Sequence, residues 1–156
     1  MSAPQSNRRS FLGTMGISAL VWATACASGP NDVSAQATGR CALCGMRVTR
    51  GAAFSSGART AAGADVVFDS VKCMFRWLGQ HTDAQDPWVT EHLSRTPRPA
   101  RDTFFVLGTE LQGPMGADLV PVDTRAHAEQ ILAGHHGTRI LAFAEVTPQV
   151  LAEIRM

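Results

Sequence analysis

The chain has 156 residues, with 14 basic and 13 acidic side chains and a formal net charge of +1. A balance this close to neutral argues against a nucleic-acid binder and against electrostatic adhesion to anionic lipid. The 45% hydrophobic share is ordinary for a globular protein, and the length allows one compact domain or two very small units sharing a core.

The first segment reads as an export signal. Asn7-Arg8-Arg9-Ser10-Phe11-Leu12 has the form of a twin-arginine signal, followed by a small-residue apolar stretch over residues 13–25 with no acidic side chain. The stretch is shorter than the roughly 20 apolar residues a membrane span needs. Ala23-Thr24-Ala25-Cys26 resembles a lipobox, which makes Cys26 the expected lipidation site, with cleavage at an Ala-x-Ala site as the alternative. Residues 1–25 are therefore expected to be removed. They hold two of the basic residues and none of the acidic ones, so the remainder carries a net charge of −1. Residues 26–37 are small and polar, as a tether between lipid and domain would be.

From residue 38 the pattern is that of a mixed α+β domain. Met46-Arg47-Val48-Thr49 predicts a short strand, residues 53–55 another, and Val66-Val67-Phe68 a buried one. Asp69 or Ser70 caps a helix that runs to about Leu78 and is ended by Gly79. Its stripe is Val71, Met74, Phe75 and Leu78, which assigns Met74 to the core and leaves Cys73 and Trp77 on another face, Cys73 free to face a cleft. Trp88-Val89-Thr90 predicts a strand, and Pro97 and Pro99 mark a loop. Residues 103–107 and 119–122 read as strands, Asp123 or Thr124 caps a helix ending at Gly134, and residues 140–144 form a further strand. Thr147-Pro148 opens a last helix by cap and first-turn proline. Residues 38–92 and 93–156 thus divide into two strand-strand-helix-strand units, the second with an added C-terminal helix.

Cys41-Ala42-Leu43-Cys44-Gly45-Met46 carries the chemistry. Haem attachment requires His after the second Cys, and Gly45 stands there. A redox motif places the first Cys at a helix N-terminus, whereas a β-prone run follows here. A zinc ribbon needs a second Cys pair, which the chain lacks. Met46 adds a thioether, a soft donor that suits Cu(I) together with thiolates. The candidate ligands are the three sulfurs of one turn, Cys41, Cys44 and Met46, then Met115 in the turn Gly113-Pro114-Met115-Gly116, with Cys73 behind them and His127, His135 and His136 as secondary candidates. One Cu(I) ion is the expected cargo, and no paired carboxylates or nucleophile–base arrangement points to catalysis. Two rivals remain open: a thiol-disulfide oxidoreductase, and an interaction module stapled by a disulfide or by Zn²⁺ on Cys41, Cys44 and Cys73.

These residues match a family pattern. Cys41-Ala42-Leu43-Cys44-Gly45-Met46, Phe68-Asp69-Ser70 with Cys73-Met74, Trp88-Val89-Thr90, Gly113-Pro114-Met115-Gly116 and Gly134-His135-His136-Gly137 recur in order over residues 38–147. In this the sequence resembles the NosL-type accessory lipoproteins of nitrous oxide reductase. The resemblance implies a fold of two related units similar to a domain of the organomercurial lyases. It also implies a periplasmic, lipid-anchored protein that receives Cu(I) from an upstream donor and delivers it to a copper enzyme, nitrous oxide reductase being the expected client. The departures are Ala23, where the lipobox usually has Leu, and His135-His136-Gly137, where His-Gly-Gly is usual.

Overall fold

The computed structural model describes residues 39–49 and 51–154; the expected signal, tether and Cys26 lie outside them. In chain order the elements are β1 (Gly39–Arg40), β2 (Arg47–Val48), β3 (Ser56–Arg59), β4 (Asp65–Phe68), α1 (Val71–Leu78), β5 (Gln85–Thr90) and β6 (Pro97–Pro99). They continue with β7 (Phe104–Leu107), β8 (Gln112–Gly113), β9 (Gly116–Ala117), β10 (Val120–Val122), α2 (Arg125–Gly134), β11 (Arg139–Ala142) and α3 (Pro148–Glu153). No helix among the described residues is long and apolar enough to cross a membrane.

Two antiparallel sheets form the scaffold, in the orders β4-β3-β5-β6 and β10-β7-β11. In each, the first strand of a unit lies between the second strand and the strand that follows the helix, so β3-β4-α1-β5 and β7-β10-α2-β11 share one topology. The pseudo-repeat expected from the sequence is present in the strand order. Two-residue strands close the hairpins β1-β2 and β8-β9.

Several boundaries differ from expectation. The strand expected at residues 53–55 lies at Ser56–Arg59, and the preceding segment is a turn in which Ser55 N donates to Ala52 O. Small residues give little periodicity there, so the strand's place is set by pairing with β4 and β5. Pro97 and Pro99 are strand residues, not loop: β6 is an edge strand, where a proline without N–H costs no ladder bond. The strand expected to reach residue 144 ends at Ala142 and passes into a 3₁₀ turn over Phe143–Glu145.

Helix α1 begins at the N-cap Ser70, whose side chain accepts from Cys73 N, and Met74 is fully buried as its stripe predicts. Yet Lys72, Cys73 and Trp77 are buried too. The helix lies against its own sheet and meets the other unit through Phe75, whose ring is 5.1 Å from both Phe105 and Phe143. A helix covered on two sides has no solvent face for Cys73, which is 2% exposed. The cleft-facing expectation for Cys73 is corrected accordingly.

A polar network crosses the junction of the two units. Asp118, between β9 and β10, accepts from Ser70 Oγ (2.6 Å), Lys72 N (2.9 Å) and Leu119 N (2.8 Å). The fully buried Lys72 sends Nζ to the carbonyls of Met115 (2.9 Å) and Ala117 (2.7 Å), on the β8-β9 hairpin. Burial pushes the Asp118 carboxyl up to about 6, against the pull of its donors.

Two outcomes follow from the packing. A Cβ on Gly57 would come within 2.5 Å of the Trp88 indole, so Gly57→Ala should destabilise the fold by about 1–3 kcal/mol in urea denaturation. Asp118 favours its protonated form in the fold, so its contribution is present below its unfolded pKa near 4 and is lost as pH rises through about 6. Between pH 4 and 7 the native protein should lose up to about 3 kcal/mol relative to Asp118→Asn, read as the pH dependence of their stability difference.

Candidate metal centre

The Cys-x-x-Cys segment forms the loop of the β1-β2 hairpin. Register pairs Arg40 with Arg47, and Cys41 N donates to Met46 O at 2.7 Å. The loop turns back through Gly45 N to Cys41 O (2.9 Å), and Gly45 has φ +77°, a conformation that side chains other than glycine adopt at a cost. Ala42 N bonds Val67 O at 2.9 Å, docking the loop on the end of β4. Beyond Phe68 the chain reaches Asp69, the cap Ser70, and Cys73 in the first turn of α1.

These two local structures bring four donors together. The ligating atoms of Cys41, Cys44, Asp69 and Cys73 all lie within 4.8 Å of one another. Cys41, Asp69 and Cys73 are buried; Cys44 is exposed, though its sulfur turns inward and donates to Asp69 Oδ1 at 3.2 Å. The second carboxylate oxygen, Asp69 Oδ2, is buried with no hydrogen-bond partner. The three cysteines are free thiols.

The thiols are not equivalent. A hydrogen bond from the Cys73 thiol holds Cys41 down to about 6, outweighing its burial. Cys73 is pushed far up, first by that same bond and then by burial. Partial removal from water raises Cys44 to about 11. One sulfur is thus poised as a thiolate while its two neighbours keep their protons, a ready first ligand for a soft cation.

Three of the predicted donors, Cys41, Cys44 and Cys73, meet in this centre. Met46 is 41% exposed at the rim of the same loop. Met115 is half-buried against the core, at the tip of the β8-β9 hairpin that Lys72 holds beside α1. The histidines stand outside the group of four. His127 Nδ1 lies 2.6 Å from Asp123 Oδ1, and His135 Nδ1 lies 3.0 Å from Glu110 Oε1. Asp69 is the donor that sequence reading missed. It was one of two candidates for the helix cap; Ser70 takes that role, which frees the carboxylate for the centre. The Cys-x-x-Cys lies in a hairpin loop and not at a helix N-terminus, as redox motifs of that form require.

Comparisons with known proteins agree with this architecture. The copper-binding lipoprotein NosL of Stutzerimonas stutzeri is 41% identical over 54 residues, which span 35% of this chain and 28% of that protein's length. The crystal structure of the copper chaperone NosL from Shewanella denitrificans superposes with a TM-score of 0.65 at 22% identity, covering 73% of this chain and 93% of that one. At that identity the match speaks for the fold. The sequence model of the NosL family matches residues 32–151, and the chain belongs to that family.

Proposed function

We propose that this protein is a copper chaperone: it takes up one Cu(I) ion and passes it to a copper enzyme, nitrous oxide reductase being the expected client. The observation that carries the reading is the convergence of three free thiols from two distant segments within 4.8 Å. Thiolate and thioether donors select Cu(I) over harder cations. Cys41 and Cys73 form the buried wall of the site and Cys44 its outer edge, with Met46 exposed beside it. Cargo held between the buried Cys41 and Cys73 and the more exposed Cys44 is reachable by an incoming ligand without unfolding the carrier. Met115 is the further donor from the second unit, and its hairpin is tied to α1 by Lys72.

The relative from Stutzerimonas stutzeri is a copper-binding lipoprotein, which supports export, lipidation of Cys26 and a membrane-anchored periplasmic location for this chain. An upstream donor would supply the Cu(I), and the protein itself carries out no bond-making chemistry.

Cu(I) competition against a chromophoric chelator tests the ligand assignment. Replacing Cys44 and Met46 together by Ala should weaken Cu(I) binding at least about a hundredfold, the upper end of what loss of a ligand's supporting partner alone costs. Unaltered affinity in that variant overturns the assignment. The apolar core is extensive, so the chelator-treated protein should keep its circular dichroism spectrum and a cooperative melt, with the melting temperature lowered only by the binding free energy of the ion. Unfolding on metal removal would instead identify a metal-stapled module.

A further inference from the structure

Lys72 is a charged side chain with no exposed surface, and it is no member of the metal centre. Both of its side-chain hydrogen bonds go to one place, the β8-β9 hairpin, where Nζ donates to the carbonyls of Met115 (2.9 Å) and Ala117 (2.7 Å). Taking a charge out of water is costly, and an apolar chain of equal length would fill the same space without that cost. The hairpin, for its part, needs an outside tie. Its strands have two residues each and form a sheet of their own, too small to hold a place unaided. It also lies tight against the junction: a Cβ on Gly113 would come within 2.6 Å of Asp118 Oδ2. Met115 stands at the hairpin tip, between the paired Gly113 and Gly116, and packs half-buried against the core.

We propose that Lys72 is a positioning residue for copper: by gripping the two carbonyls it fixes the β8-β9 hairpin on the first turn of α1 and makes the Met115 thioether a donor to the ion. The inference rests on the copper-chaperone reading and adds to it a residue that is not itself a ligand. Lys72 immediately precedes Cys73, so the side chain that holds the hairpin and a sulfur of the centre belong to one turn of backbone. Asp118, next after β9, completes the tie by accepting from Ser70 Oγ and Lys72 N. A thioether carried on a tethered hairpin has lost its freedom before the ion arrives, so its ligation costs little further ordering. With the tether gone, the same thioether must be ordered at the moment of binding, and affinity falls by that cost. The second unit thereby takes part in holding cargo whose thiol ligands all come from the first.

The test measures Cu(I) affinity of the reduced full chain by chelator competition, together with methyl NMR of isotope-labelled methionines. Lys72→Met, equal in length and without N–H donors, should weaken Cu(I) binding roughly tenfold. Met115→Ala should weaken it at least as much, and the two changes together no more than Met115→Ala alone. Cu(I) should move the Met115 methyl signal in the native protein and leave it nearly unmoved in Lys72→Met, a selective loss that a merely structural role would not produce. Should Lys72→Met fail to fold, Lys72→Gln, polar but shorter in reach, should show the same selective loss. Native affinity in the folded variant, or losses that multiply across Lys72→Met and Met115→Ala, overturns the proposal. Cu(I) binding by the native chain with an unmoved Met115 signal sinks the proposal alone, whereas no Cu(I) binding at all sinks the copper reading with it.

Discussion

The N-terminal turn of α1 is the point on which the molecule is assembled. Asp118, from the second unit, takes the cap hydroxyl of Ser70 and the backbone N–H of Lys72. Lys72 in turn reaches across to two carbonyls of the β8-β9 hairpin. A buried charge is tolerated only when its donors and acceptors are supplied, and here each half supplies the other's. The turn held in this way carries Asp69 on one side and Cys73 on the other. The same interactions that join the units therefore hold two of the four donors of the metal centre.

The centre combines a rigid half and an accessible half. Cys73 is on a helix packed against its own sheet and α3, with Phe75 reaching Phe105 of the second sheet, and Asp69 follows the edge strand β4. Cys41 and Cys44 come from a hairpin loop that is docked by its own backbone, through Ala42 N to Val67 O. Cys73 beside Cys41 draws the Cys41 thiol down while its own is pushed up, so the sulfurs of the centre differ in acidity. The site is backed by a core of aliphatic and aromatic side chains, of which Cys41 and Cys73 are themselves part.

Much of the local structure was legible in the chain. The apolar period of residues 71–78, the cap before it and the turn residues around Cys41 and Met115 announced a helix and two tight loops, and soft-donor chemistry could be read from Cys41-Ala42-Leu43-Cys44-Gly45-Met46 alone. Local propensity and residue chemistry are properties of neighbouring residues, so they survive without coordinates. Strand positions in the Gly- and Ala-rich stretch, and proline in β6, depended on which partners were available for pairing. The burial of Cys73, the separation of its acidity from that of Cys41, and the place of Asp69 in the centre depended on packing between segments some thirty residues apart. A helical period shows which side chains share a face, but how many faces are covered is decided by what else folds against the helix. That is why the sequence by itself determined the soft donors of the Cys-Gly-Met segment, and only the tertiary structure decided which of them meet and that a carboxylate joins them.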